Sequence, residues 1–212
     1  KARSKHIRVG GADGVTIKTF HSLGFAAWRR YMGRNVKVRV DDRKSWKLLN
    51  AGVETKQFDE EVVKMYGSTA CKLVALAKNA GVGCVIDGVR IQATSDVFEN
   101  LFMHHNMQLQ NDDCELDEAI DLAIWLLRQS AKVKNILDFN DMLWLPVVYG
   151  ANFCQNRRVC VDELQDTNAL QLEIAVRSLK SGNNGQFIGV GDPHQAIYGF
   201  RGADSDAFNN VI

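Results

Sequence analysis

The sequence predicts an α/β chain in which a parallel sheet is separated from its first elements by a long helical block, and three observations carry that expectation. Val159-Cys160-Val161 runs apolar into the adjacent carboxylates Asp162 and Glu163 and reads as a buried strand. A second apolar run ends in Gly189-Val190-Gly191-Asp192, with Gln195 just beyond. Between them Leu170, Leu172, Ile174, Ala175 and Leu179 recur at helical spacing behind Thr167, a residue suited to an N-cap. The unit is a strand–helix–strand crossover.

A parallel crossover of this kind brings the C-terminal ends of both strands to one edge of the sheet, and open α/β sheets bind ligands at that edge. Asp162, Glu163 and Gln195 are therefore expected to converge. Two adjacent carboxylates at a strand end suit a metal–nucleotide site, in which one holds Mg²⁺ or its water and the other orients the attacking water. A lone Asp-Glu pair more often just begins a solvated loop. The second strand, with its own Asp and Gln, weighs against that plainer reading.

The earlier elements follow in order. Val15-Thr16-Ile17-Lys18 reads as a short strand leading into a helix from His21 to Met32, which Gly33 closes. Phe25, Trp28 and Tyr31 recur every three residues and read as a core stripe ahead of a base-stacking platform. Helical patterns then run over 43–50, 59–66, 69–80, 95–105 and 115–132, with few strand signals between them. Lys72, Lys78 and Lys132 within this block are taken as solubilising charges ahead of phosphate contacts. Pro146 and Pro193 are the only prolines, so no Pro-rich linker separates the pieces and the block is expected to be docked.

With 212 residues, 46% of them hydrophobic, the chain can bury a substantial core. Its formal net charge of +1 says nothing about partners, but residues 1–47 carry 13 Lys/Arg against 3 Asp/Glu. That imbalance suits a face that meets phosphate backbones. The five cysteines show no Cys-x-x-Cys spacing, which points to reduced thiols and a cytoplasmic setting, with Cys160 packed in its strand. His104 and His105 are adjacent and cannot face one metal from a helix. No apolar run approaches the roughly 18 residues of a membrane span, and Lys1–Arg8 has no apolar segment behind it to make a signal peptide.

Four stretches of this chain resemble superfamily 1 DNA helicases of the UvrD/Rep/PcrA type. Val161-Asp162-Glu163-Leu164-Gln165-Asp166-Thr167-Asn168 is similar to their motif II, the Walker B box. Gly191-Asp192-Pro193-His194-Gln195-Ala196-Ile197-Tyr198-Gly199-Phe200-Arg201-Gly202-Ala203 is similar to motif III. Thr19-Phe20-His21-Ser22-Leu23 resembles motif Ib, and Asp138-Phe139-Asn140-Asp141-Met142-Leu143 resembles the segment that re-enters the ATPase core after a helical insertion. The four boxes cover about a quarter of the chain, and their order organises nearly all of it.

The resemblance implies a partial P-loop NTPase (RecA-like) parallel sheet with an inserted α-helical subdomain. Residues 1–35 would begin motor domain 1A, 36–135 would be a 1B-like insertion, and 136–212 would continue 1A. Asp162 would hold Mg²⁺, Glu163 would activate the hydrolytic water, and Gln195 would sense the γ-phosphate of ATP. Thr19, His21, Tyr198, Phe200 and Arg201 would meet DNA, with Phe200 stacking on a base where the family often has Trp. Packing of Phe200 into the core, and pairing of Arg201 with an acidic cluster, remain open alternatives.

No Gly-x-x-x-x-Gly-Lys-Ser/Thr occurs in these 212 residues, and Gly10-Gly11 with Asp13-Gly14 reads as a turn. The expectation is an internal piece of a longer, monomeric helicase or translocase. It would act on single-stranded DNA and on junctions of single and double strands, in the 3′-to-5′ direction, with a second motor domain in the same longer chain. Alone, the piece is expected not to hydrolyse ATP. The competing readings are an ATPase-dead single-stranded DNA-binding remnant, a helicase–nuclease subunit, and a P-loop NTPase unrelated to nucleic acid. The Thr19–Leu23 box and the motif III aromatics argue against the last.

Overall fold

The computed structural model describes residues 15–86, 88–111 and 114–192. Its elements in chain order are α1 (Phe20–Met32), β1 (Arg39–Val40), α2 (Lys44–Glu54), α3 (Glu60–Asn79), β2 (Val85–Ile86), β3 (Val89–Arg90), α4 (Ser95–His104), α5 (Leu116–Lys132), β4 (Ile136–Leu137), α6 (Asp141–Val148), β5 (Arg158–Val161), α7 (Ala169–Arg177) and β6 (Gln186–Gly189). The architecture is mixed α/β with short sheets. Among the described residues β1 pairs parallel with β4, β2 antiparallel with β3, and β5 parallel with β6.

Local chemistry explains most element ends. Thr19 has extended backbone and its Oγ1 accepts the Ser22 N–H at 3.2 Å, so α1 starts within one residue of the expected place. Arg29 and Arg30 sit in its last turn, where cations complement the helix dipole. Gly33, at φ 87°, ends it. The expected strand over Val15–Lys18 does not form: these residues are exposed and pair with no described strand. Three β-prone residues and a lysine make a strand only where a neighbour takes up their backbone donors and acceptors.

Glu60–Asn79 form one helix where two, over 59–66 and 69–80, were expected. Gly67 does not break α3, because it lies where a Cβ would come 3.0 Å from the Trp46 ring. The glycine serves a close approach between α2 and α3, at the propensity cost of about 1 kcal/mol. Of the expected aromatic stripe of α1, only Trp28 is a core residue; Phe25 is half-buried against the core and Tyr31 is exposed. Trp28 is fully buried, its Nε1–H donates to the Lys134 carbonyl at 3.0 Å, and Tyr31 stacks on it at 5.0 Å.

One hydrophobic core joins α1 through α7, and a smaller cluster of Val161, Leu164 and Ala175 lies under β5 and β6. Phe20 packs against both. Cys160 is exposed and not packed as expected, since its side of the two-stranded β5–β6 sheet carries no covering layer among the described residues. No described helix is long and apolar enough to cross a membrane.

Candidate nucleotide edge and nucleic-acid interface

β5 and β6 run in register from Arg158 opposite Gln186 to Val161 opposite Gly189. The ladder continues past both strands: Val190 N–H donates to Val161 O at 2.8 Å and Leu164 N–H donates to Val190 O at 2.9 Å. Asp162-Glu163 and Gly191-Asp192 therefore lie side by side at the C-terminal edge, as the crossover required. Gln195, Tyr198, Phe200 and Arg201 lie outside the described residues.

The turn after β5 is tightly specified. Glu163 adopts left-handed backbone, φ 52° and ψ 50°, a conformation that costs a non-glycine residue of order 1 kcal/mol. Its N–H donates to Asp162 Oδ1 at 3.1 Å. Gln165, buried beneath the turn, then acts in two directions. Its Nε2 donates to Glu163 Oε2 at 2.6 Å, and its Oε1 accepts the Asp192 N–H at 3.1 Å. Sequence reading passed over Gln165; the available signal was a polar residue one step after an apolar one in a turn that must close over a core.

Thr167 does not cap α7. Its hydroxyl donates to Leu164 O at 2.6 Å, ending a 3-10 turn over Leu164–Asp166, and Asn168 takes the cap in a reciprocal box with Gln171. Asp162 and Glu163 are both exposed and present hard oxygen donors of the kind Mg²⁺ takes, so the residues fit that ion.

The second candidate surface sits at the start of α1. His21 is half-buried and stacks on Phe139, with ring centroids 3.7 Å apart and planes 25° from parallel. Burial pushes the His21 imidazole down to about 4, so the ring is neutral at pH 7. Phe139 is 55% exposed although its ring stacks on His21. It was missed as a site residue, although an aromatic set among Asp138, Asn140 and Asp141 cannot easily be core. Thr19 is exposed and serves as the cap of α1.

Behind Phe139 lies a buried ionic cluster. Lys44 Nζ donates to Asp141 Oδ2 at 2.6 Å, Ser130 O at 2.9 Å and Val133 O at 3.0 Å. Lys78 Nζ meets Asp138 Oδ2 at 2.6 Å, Asp141 Oδ1 at 2.7 Å and Ser130 Oγ at 2.9 Å. All three ammonium protons of each lysine thus have acceptors. Lys78 is not a solubilising charge: it is fully buried, while Lys72 and Lys132 are exposed. Burial pushes Lys44 below the ordinary lysine value, and Asp141 returns only part of that. Burial opposes the charge of Lys78 too, but Asp141 and Asp138 together outweigh it and hold that amine above its ordinary value.

Comparison with known proteins matches this chain to a family. The family model for the UvrD/REP helicase N-terminal domain matches residues 1–212. The ATP-dependent DNA helicase Rep of Escherichia coli (strain K12) is 38% identical over 204 residues, which cover 91% of this chain and 26% of that protein. The ATP-dependent DNA helicase PcrA of Bacillus subtilis (strain 168) is 27% identical over 213 residues, covering 96% and 26%. The ATP-dependent DNA helicase SRS2 of Saccharomyces cerevisiae is 27% identical over 204 residues, covering 89% and 17%. The chain thus spans about a quarter or less of the length of these relatives. On the strength of the full-length match, the chain belongs to the UvrD/REP helicase N-terminal domain family.

Proposed function

We propose that this chain is the part of an ATP-dependent DNA helicase or translocase that carries the water-activating edge of the ATPase site and one single-strand contact surface. Residues 1–35 and 136–212 form the motor core in this reading, and 36–135 form a docked helical insertion. The observation that carries it is the edge itself, where Gln165 ties Glu163 to Asp192 beneath two exposed carboxylates. Asp162 would hold Mg²⁺, and that ion would neutralise phosphate charge. Glu163 accepts the proton of the attacking water. Gln195 contacts the γ-phosphate, and Tyr198, Phe200 and Arg201 meet the strand.

His21 and Phe139 extend the strand contact. A neutral imidazole stacked on an exposed phenyl ring offers bases a sequence-tolerant π-face, worth roughly 1–3 kcal/mol per base. Phe20, next to His21, packs against the small cluster of Val161, Leu164 and Ala175, so the DNA-facing box shares a cluster with the carboxylate-bearing strand. That contact is a short mechanical path between DNA and nucleotide. These 212 residues hold no Gly-x-x-x-x-Gly-Lys-Ser/Thr to cradle phosphates, so in this reading they alone bind single strands weakly and do not turn over ATP.

The test is DNA-stimulated ATPase activity of the full-length protein that carries this chain, beside Glu163→Gln. Hydrolysis stimulated by single-stranded DNA and lost in the variant supports the motor and the base together. Strand binding with no hydrolysis in either protein would favour an ATPase-dead DNA-binding remnant. Movement in the 3′-to-5′ direction is tested by unwinding of tailed duplexes of each polarity.

A further inference from the structure

We infer that Lys78, through Asp138 and Asp141, is a positioning residue that holds Phe139 in its stack on His21. It thereby sets the surface offered to single-stranded DNA, a consequence that rests on the functional reading just given. The turn carrying Phe139 is closed by one reciprocal pair. Asp141 N–H donates to Asp138 Oδ1 at 2.8 Å, and Asp138 N–H donates to Asp141 Oδ2 at 3.1 Å. Phe139 and Asn140 are the two residues held between. Lys78 reaches the other oxygen of each carboxylate, so the turn is gripped from behind at both ends.

The grip draws on four parts of the chain. Lys78 comes from α3, Lys44 from α2, Ser130 from α5, and the carboxylates from the turn before α6 and its first residue. Two ammonium groups face two carboxylates, and the cluster is neutral as a set. Apolar groups of the same volume would be at least as stable in such a place. What charged groups add is direction: short, fully satisfied hydrogen bonds permit one arrangement of the turn. Without the Lys78 cation, Asp138 loses the donor on its outer oxygen and Asp141 keeps a buried charge with one fewer partner. The turn then relaxes towards water and carries Phe139 with it. The helical residues are in this way geared to the aromatic stack.

The test uses the full-length protein carrying this chain, with Asp138→Asn, Lys78→Met and Phe139→Ala, and each of the first two combined with Phe139→Ala. The first readout needs no DNA: the ring carbon signal of His21 in protein labelled at histidine Cε1, assigned by His21→Asn. Asp138→Asn and Lys78→Met are expected to move this signal to its position in Phe139→Ala while the other histidine signals stay. The second readout is anisotropy of a fluorescent oligo-dT at fixed salt. Phe139→Ala is expected to weaken binding roughly tenfold. Each double variant should bind no more weakly than Phe139→Ala alone, since residues acting through one another are non-additive.

An unmoved His21 signal in folded Asp138→Asn, or losses that multiply in the double variants, would overturn the inference. If Lys78→Met fails to fold, Asp138→Asn alone decides by the same two readouts. A moved His21 signal with oligo-dT affinity unchanged by Phe139→Ala would sink the DNA reading of this surface and leave the positioning role standing.

Discussion

Gly24 on α1 faces the main-chain carbonyl of Met142 on α6, the carbonyl whose helical donor Pro146 removes. A Cβ at position 24 would overlap that oxygen. Proline cannot donate to the carbonyl four residues before it, so α6 bares one oxygen, and the glycine lets α1 pack directly on it. Gly24→Ala is expected to destabilise the protein by about 1–3 kcal/mol, as overpacking does. Thermal unfolding would register this as a fall of roughly 2–12 °C. A variant as stable as the wild type would show that α1 and α6 have slack at this crossing.

Asp141 is the hub of the buried cluster, accepting from Lys44, Lys78, Ser130 and the Asp138 amide. Asp141→Ala leaves two buried ammonium groups short of a partner. The expected loss is about 3–5 kcal/mol, the usual consequence of removing one side of a buried pair. Denaturant unfolding would show a lowered midpoint, and a change under 1 kcal/mol would mean that water enters the cluster.

Gln165→Ala removes the bridge between Glu163 and Asp192 without touching an exposed carboxylate. The two hydrogen bonds lost are part-buried and are worth about 0.5–1.5 kcal/mol each. If that energy holds the Glu163 carboxylate in its working position, kcat for ATP hydrolysis by the full-length protein falls about tenfold or more. Oligo-dT affinity without nucleotide is expected to stay within twofold. Equal loss of both would indicate general unfolding of the edge.

The His21 imidazole is held near 4 by burial, below its ordinary value of 6.5. Between those values the unfolded chain binds more protons than the folded one, so stability rises with pH across about 4 to 6.5 and is flat in this respect above it. Allowing for the ring's partial exposure, the contribution is of order 1 kcal/mol. Denaturant midpoints compared at pH 5 and pH 7 in wild type and His21→Asn isolate it. The pH dependence should be smaller in the variant.

Cysteine reactivity offers a check on packing. Cys154 and Cys160 are exposed, whereas burial pushes Cys84 up to about 12 and Cys71 up to about 11, and Cys114 is buried. Thiolate is the reactive form. An aromatic disulfide reagent at pH 8 should modify two thiols quickly and three only on unfolding. Fast reaction of Cys84 would contradict the burial of the α3–β2 connection.

The helices and the edge strands were legible because the forces that place them are local. Thr19 and Gly33 bracket α1 through contacts three residues away. The apolar runs before Asp162 and Asp192 announce strands whose ends must meet if the crossover is parallel. Local signals also misled where a residue had a distant partner. Gly67 looks like a break until Trp46 lies against it, and Val15–Lys18 looks like a strand although no described neighbour pairs with it. Lys78 looks like any helix-surface lysine. Its true partners, Ser130, Asp138 and Asp141, are 52 to 63 residues away along the chain, and those of Lys44 lie 86 to 97 residues away.

By itself, then, the sequence determined the longer helices and the two strands that end in carboxylates, since periodicity, capping and turn chemistry act over a few residues. Only the tertiary structure decided that two lysines are core residues, that Gln165 joins two motifs, and that Phe139 shows its ring beside His21. Each of these depends on desolvation and on partners distant in sequence, and neither exists until the chain has packed.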